Sequence, residues 1–85
     1  MSETPQDRIK RLKMRSMRRG IKEMDIILSA YAEDHLAQMS EEKITLYDAL
    51  LQENDQDLYS WVTGQTVAPE QFRKLLGEIA QTFQK

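Results

Sequence analysis

Chemistry in a chain of 85 residues has few places to reside, and here the supply of reactive side chains is short. There is one histidine, His35, and no cysteine. A nucleophilic triad needs a base beside its nucleophile, and a zinc or iron–sulfur centre needs several nitrogen or sulfur ligands. His35 stands among Glu33, Asp34 and Leu36 on a helical stretch, with no nucleophile or orienting partner at readable spacing, and reads as a residue at a helix edge. Carboxylates occur in pairs, Glu33/Asp34, Glu41/Glu42 and Asp55/Asp57. Each pair falls at a helix end or on a polar face, where capping or solvation accounts for it. No glycine-rich phosphate loop occurs, since "RRGIKE" has one glycine. The chain is therefore not expected to be an enzyme, nor to hold a metal or cofactor of its own.

The densest functional candidate is "RSMRRGIKEMD", Arg15 to Asp25, which sets three arginines and a lysine around Gly20 and ends in acids. One reading is a helix junction. Gly20 would take positive φ at a helix C-terminus, basic residues before it would favour the negative end of the dipole, and Glu23 would sit in the first turn of the next helix. That reading leaves Arg19 and Lys22 unexplained. The other reading is a recognition surface, because a glycine lets a partner's backbone or a ligand approach closely.

The elements that would position these residues all have the helical repeat. Thr4, Pro5 and Asp7 suit the N-cap, N1 and N3 positions of a first helix running to about Arg18, with Ile9, Leu12 and Met17 on one face. A second helix, about 22–38, presents Met24, Ile27, Leu28 and Tyr31, with His35 next on that face. Ser40 opens a third, reaching about Glu53 with Ile44, Tyr47, Leu50 and Leu51. Asp55 can cap a short fourth over 56–63, carrying Leu58, Trp61 and Val62, and Gly64 ends it. Pro69 starts a fifth with the stripe Phe72, Leu75, Leu76, Ile79 and Phe83. No segment alternates as a strand would. The expectation is an all-α fold, a small five-helix bundle, as one domain over 1–85 with residues 1–7 flexible. Trp61 and Leu58 read as core anchors.

Net charge is only −2, but residues 1–22 hold eight of the twelve basic side chains, whereas 23–60 hold ten acids against Lys43 alone. The basic segment invites a nucleic-acid reading, with Arg8, Lys10, Arg11, Lys13, Arg15, Arg18, Arg19 and Lys22 on phosphates. No aromatic residue interleaves with them, and the second helix carries Glu23, Asp25, Glu33 and Asp34, the wrong sign for a groove. A small nucleic-acid-binding regulatory protein using the basic N-terminal helix stays as the alternative. A membrane-surface helix over 8–19 has a thin apolar face without Trp or Phe. No apolar run approaches membrane-spanning length and no signal-peptide core follows Met1, so neither membrane insertion nor secretion is expected. A transit peptide is disfavoured by Glu3 and Asp7 in the basic segment.

Arg19-Gly20-x-x-Glu23 resembles the RGxxE motif of the SdhE family, the FAD assembly factors of succinate dehydrogenase. The flanking "RRGIKEMDI" is similar to that family's consensus, and "DQDLYSW" resembles its D-x-D-L-x-x-W segment at Asp55, Asp57, Leu58 and Trp61. The resemblance covers about residues 8–83. It implies a five-helix chaperone that binds the flavoprotein subunit of succinate dehydrogenase, or of fumarate reductase, and promotes covalent attachment of FAD to a histidine of that client. It further implies that Arg19, Gly20 and Glu23 meet the client, with Arg18 and Lys22 beside them in the partner-binding set. Arg19 would then pair bidentately with a client carboxylate, and the basic first helix would steer encounter. A monomer in a bacterial cytoplasm completes the expectation, with an antitoxin-like regulator, a description given to relatives of that family, as the alternative the resemblance leaves.

Overall fold

The computed structural model describes residues 3–83, and within them the chain forms five α-helices and one 3-10 turn, with no strand. Helix α1 spans Pro5–Arg15. Thr4 caps it through Oγ1, which accepts from the Asp7 N–H at 3.0 Å, and Pro5 occupies the first turn, where its missing N–H costs nothing. Residues 5–7 form the first turn of α1, and Glu3 pairs with Arg11. Met1 and Ser2, the rest of the segment expected to be flexible, lie outside the described residues.

Helix α2, Lys22–His35, runs through the middle of the molecule and touches α1, α4 and α5. It buries Met24, Ile27, Leu28, Tyr31 and Ala32, a stripe at three- and four-residue spacing. The helix ends earlier than its apolar pattern suggests, tightening into a 3-10 turn at Leu36–Gln38. That change of pitch sends Leu36 into the core and leaves His35 exposed.

Helix α3, Glu41–Leu50, is capped by Ser40, whose Oγ accepts from the Lys43 N–H at 3.2 Å. It buries Ile44, Tyr47 and Leu50. Helix α4, Asp55–Val62, is capped by Asn54 rather than Asp55: Asn54 Oδ1 takes the Gln56 N–H at 2.8 Å. Gly64, at φ +80°, turns the chain out of α4 as the sequence predicts. Helix α5, Glu70–Phe83, follows Pro69 and buries Phe72, Leu75, Leu76 and Ile79. Phe83, expected on that stripe, is half exposed because the helix has run past the bundle.

One apolar cluster joins all the helices, with Leu12, Met24, Leu28, Leu36, Tyr47, Leu50, Leu58 and Ile79 fully enclosed. Leu58 is therefore a core anchor. Trp61 is only partly buried, resting on Phe72 with ring centroids 6.3 Å apart.

Candidate functional site

The segment between α1 and α2 is shaped by a serine. Helix α1 stops at Arg15, three residues before the end its sequence suggested, because Ser16 turns inward. Its Oγ donates to the Leu12 carbonyl at 2.8 Å and lies 2.6 Å from the Tyr47 hydroxyl, and the residue has no exposed surface. A hydroxyl bonded back to the carbonyl four residues earlier competes with helix continuation. Ser29 Oγ donates to the Ser16 carbonyl at 3.3 Å and ties the turn to α2. Met17, expected on the inward face of the first helix, is 47% exposed as a result. The left-handed residue of the turn is Arg18, at φ +55°, and not Gly20.

Arg19 folds back into the protein. Its Nε donates to Asp55 Oδ1 at 2.7 Å, its Nη1 to the Arg15 carbonyl at 2.8 Å, and its Nη2 to the Leu51 carbonyl at 3.2 Å and more weakly to that of Glu53 at 3.5 Å. One guanidinium thereby gathers carbonyls at the C-terminal ends of α1 and α3, where a cation is also favoured by the helix dipoles. The other oxygen of Asp55 takes the Gly20 N–H at 2.7 Å. A side chain at position 20 would place its Cβ 3.1 Å from that oxygen. Gly20 is a glycine because a carboxylate lies against its backbone, not because of its φ. Asp55 itself heads α4, where its charge is favourable, and joins two loops 36 residues apart.

The residues singled out by the sequence therefore divide. Arg18 and Gly20 are exposed and, with Arg15 and Met17, line a shallow depression whose floor is Arg19 and Asp55. Lys22 and Glu23 are exposed on the first turn of α2, outside that depression, and Glu23 suits the positive end of the helix. Among the described residues, Arg18, Lys22 and Glu23 form no ion pair. Arg19, the expected contact for a partner carboxylate, already holds an internal one. Sequence reasoning missed Asp55, treating it as a helix cap. The available signal was its place in "DQDLYSW", whose companion "RRG" it meets in space.

Much of the basic first helix is likewise occupied. Arg11 bridges Glu3 at 2.7 Å and Asp48 at 2.9 Å, and Arg8 lies 3.8 Å from Asp48. The Arg11 hydrogen bond holds the Asp48 carboxyl below the usual carboxylate range. With Arg8, Arg11 and Arg19 committed, three of the eight basic groups counted on phosphates face carboxylates of their own chain. His35 is exposed as expected, its ring tilted on Tyr31 at 4.7 Å between centroids. The described residues contain no group of three or more metal-ligating side chains placed to hold an ion, and no helix long and apolar enough to cross a membrane.

The sequence has relatives. The chain is 40% identical over 75 residues to a protein of Aspergillus terreus, a match covering 88% of this chain and 25% of the relative. It is 39% identical over 84 residues to one of Meyerozyma guilliermondii, covering 98% of this chain and 62% of the relative. It is 51% identical over 53 residues to one of Candida glabrata, covering 62% and 35%. All three are named succinate dehydrogenase assembly factor 2, mitochondrial, and the chain spans between a quarter and two thirds of their lengths. The expected bacterial cytoplasmic location is overturned by these matches, which are to mitochondrial proteins of fungi. That expectation followed the resemblance to the SdhE family, and neither a five-residue motif nor a helical bundle reports its compartment. Residues 10–83 match the family described as flavinator of succinate dehydrogenase, and the chain belongs to that family.

Proposed function

We propose that this chain is an assembly factor that binds the flavoprotein subunit of succinate dehydrogenase and promotes covalent attachment of FAD to it. The observation that carries the proposal is the family match over residues 10–83, which takes in the whole α1–α2 turn and its Asp55 support. The bond-forming histidine belongs to the flavoprotein. This chain contributes no reacting group and holds no flavin of its own; it acts as a monomer that fixes its partner in one pose. Holding mobile parts in place lowers the entropic share of a barrier without new chemistry, and a rigid charged surface is suited to that task. The turn is braced by Ser16 on one side and Arg19 on the other.

The test is reconstitution. Purified flavoprotein subunit is incubated with FAD, with and without the chain, and covalent flavin is read by fluorescence of the denatured band. The expected result is a faster rise of covalent flavin with the chain present, together with co-elution of the two proteins. Equal rates in both arms and no co-elution overturn the proposal. The nucleic-acid alternative predicts salt-sensitive retention of the chain on immobilised DNA or RNA. The internal pairing of Arg8, Arg11 and Arg19 argues against it.

A further inference from the structure

Arg18 is the one non-glycine residue described with positive φ, +55°. In that region Cβ crowds the carbonyl oxygen, and only glycine, asparagine and aspartate visit it at low cost. The turn imposes the conformation. Ser16 is held by Leu12 and Tyr47, and Arg19 is held by Asp55, so Met17 and Arg18 alone must reverse the chain between two fixed ends. A glycine at position 18 would meet the demand, yet the nearby glycine stands at position 20, where the Asp55 carboxylate needs the space. The sequence thus carries an arginine where its own backbone favours a smaller residue. The side chain is exposed and forms no ion pair among the described residues, so nothing internal repays the strain. Sparsely populated backbone conformations imposed by their surroundings cluster at functional sites.

We propose that Arg18, not Arg19, is the guanidinium presented to the partner, and that it meets a carboxylate on the surface of the flavoprotein. The assignment rests on the assembly-factor reading above. Arg19 is excluded because its fork already serves Asp55 and three carbonyls. Arg18 lines the depression floored by those groups, beside Met17, whose exposed thioether offers an apolar contact next to the charge. A planar fork favours a bidentate carboxylate. The Asp55 carboxylate behind it is already paired with Arg19, and one fork beside an apolar side chain fits a single acidic side chain of a protein.

The test measures affinity for the flavoprotein subunit at three salt concentrations, and the thermal midpoint, for wild type, Arg18→Asn, Arg18→Gly and Arg18→Lys. The expected result for Arg18→Asn and Arg18→Gly is a midpoint held or raised by about 2–4 °C with binding weakened about tenfold. Their binding should also depend less steeply on salt, and Arg18→Lys should fall between. Binding then falls while stability is held or raised, which no purely structural residue would produce. Normal binding by Arg18→Asn overturns this assignment alone. So does a fall in midpoint that parallels the fall in binding. Absence of binding by the wild-type chain overturns the assembly reading and this assignment with it.

Discussion

Replacing Gly20 by alanine tests the central geometric claim. The added methyl would lie 3.1 Å from Asp55 Oδ2, closer than ordinary van der Waals contact. Asp55 has little room to retreat, because one oxygen is held by Arg19 and the other by the Gly20 N–H, each at 2.7 Å. Such charge-assisted bonds are each worth about 1.5–3 kcal/mol when fully formed. Weakening both by roughly a third to a half costs about 1–3 kcal/mol, offset by about 0.4–1 kcal/mol because alanine restricts the unfolded chain. The net expectation is a loss of about 1 kcal/mol, or a fall in midpoint of about 4–8 °C, read by circular dichroism during heating and in urea. Gly20→Arg carries the same Cβ and should lose at least as much. The diagnostic arm is Asp55→Ala, where the obstructing oxygen is gone. In that background Gly20→Ala should cost nothing or stabilise slightly, giving a coupling of about 1–2 kcal/mol. An equal cost in both backgrounds would refute the account of why position 20 is glycine.

Three further outcomes follow from the same structure. Arg19→Lys should destabilise by about 2–3 kcal/mol in urea titrations, because an ammonium cannot serve Asp55 and three diverging carbonyls together. Ser16→Ala strands the buried Tyr47 hydroxyl and should cost about 1–3 kcal/mol, whereas adding Tyr47→Phe should recover part of the loss in the double variant. Acid sensitivity should trace to Asp48 and Glu78, whose carboxyls are held low by hydrogen bonds from Arg11 and Lys43 respectively. Because their folded pKa values are depressed, they stabilise the fold above the ordinary carboxylate range, near pH 4. That contribution is lost as pH falls through the lower folded values, so Asp48→Asn should flatten urea midpoints measured against pH on the acid side.

The helices were legible because their burial is periodic: Met24, Ile27, Leu28 and Tyr31 on α2, and Phe72, Leu75, Leu76 and Ile79 on α5, all occupy the core their spacing demands. Gly64 was legible too, since an exposed turn there needs positive φ. What escaped was decided by contacts between distant segments. Ser16 looks like an ordinary surface serine until Tyr47 arrives from 31 residues away, and that pairing shortens α1 and turns Met17 outward. Asp55 looks like a helix cap, but Asn54 takes that role and frees it for Arg19 and Gly20. The arginine and glycine of the motif were thus found by pattern, while their physical work was invisible without the partner carboxylate. Glu23 and Lys22 kept the exposure expected of them, since their first-turn positions on α2 depend on nearest neighbours alone.

The bridge from Asp55 to the α1–α2 turn also sets when that turn acquires its form. Residues 19 and 55 meet only after the corner between α3 and α4 has docked, so a half-assembled molecule has a swinging Arg19 and a shapeless loop. A partner that grips the loop in this shape is thereby reading the packing of three helices, α1, α3 and α4, at a single point.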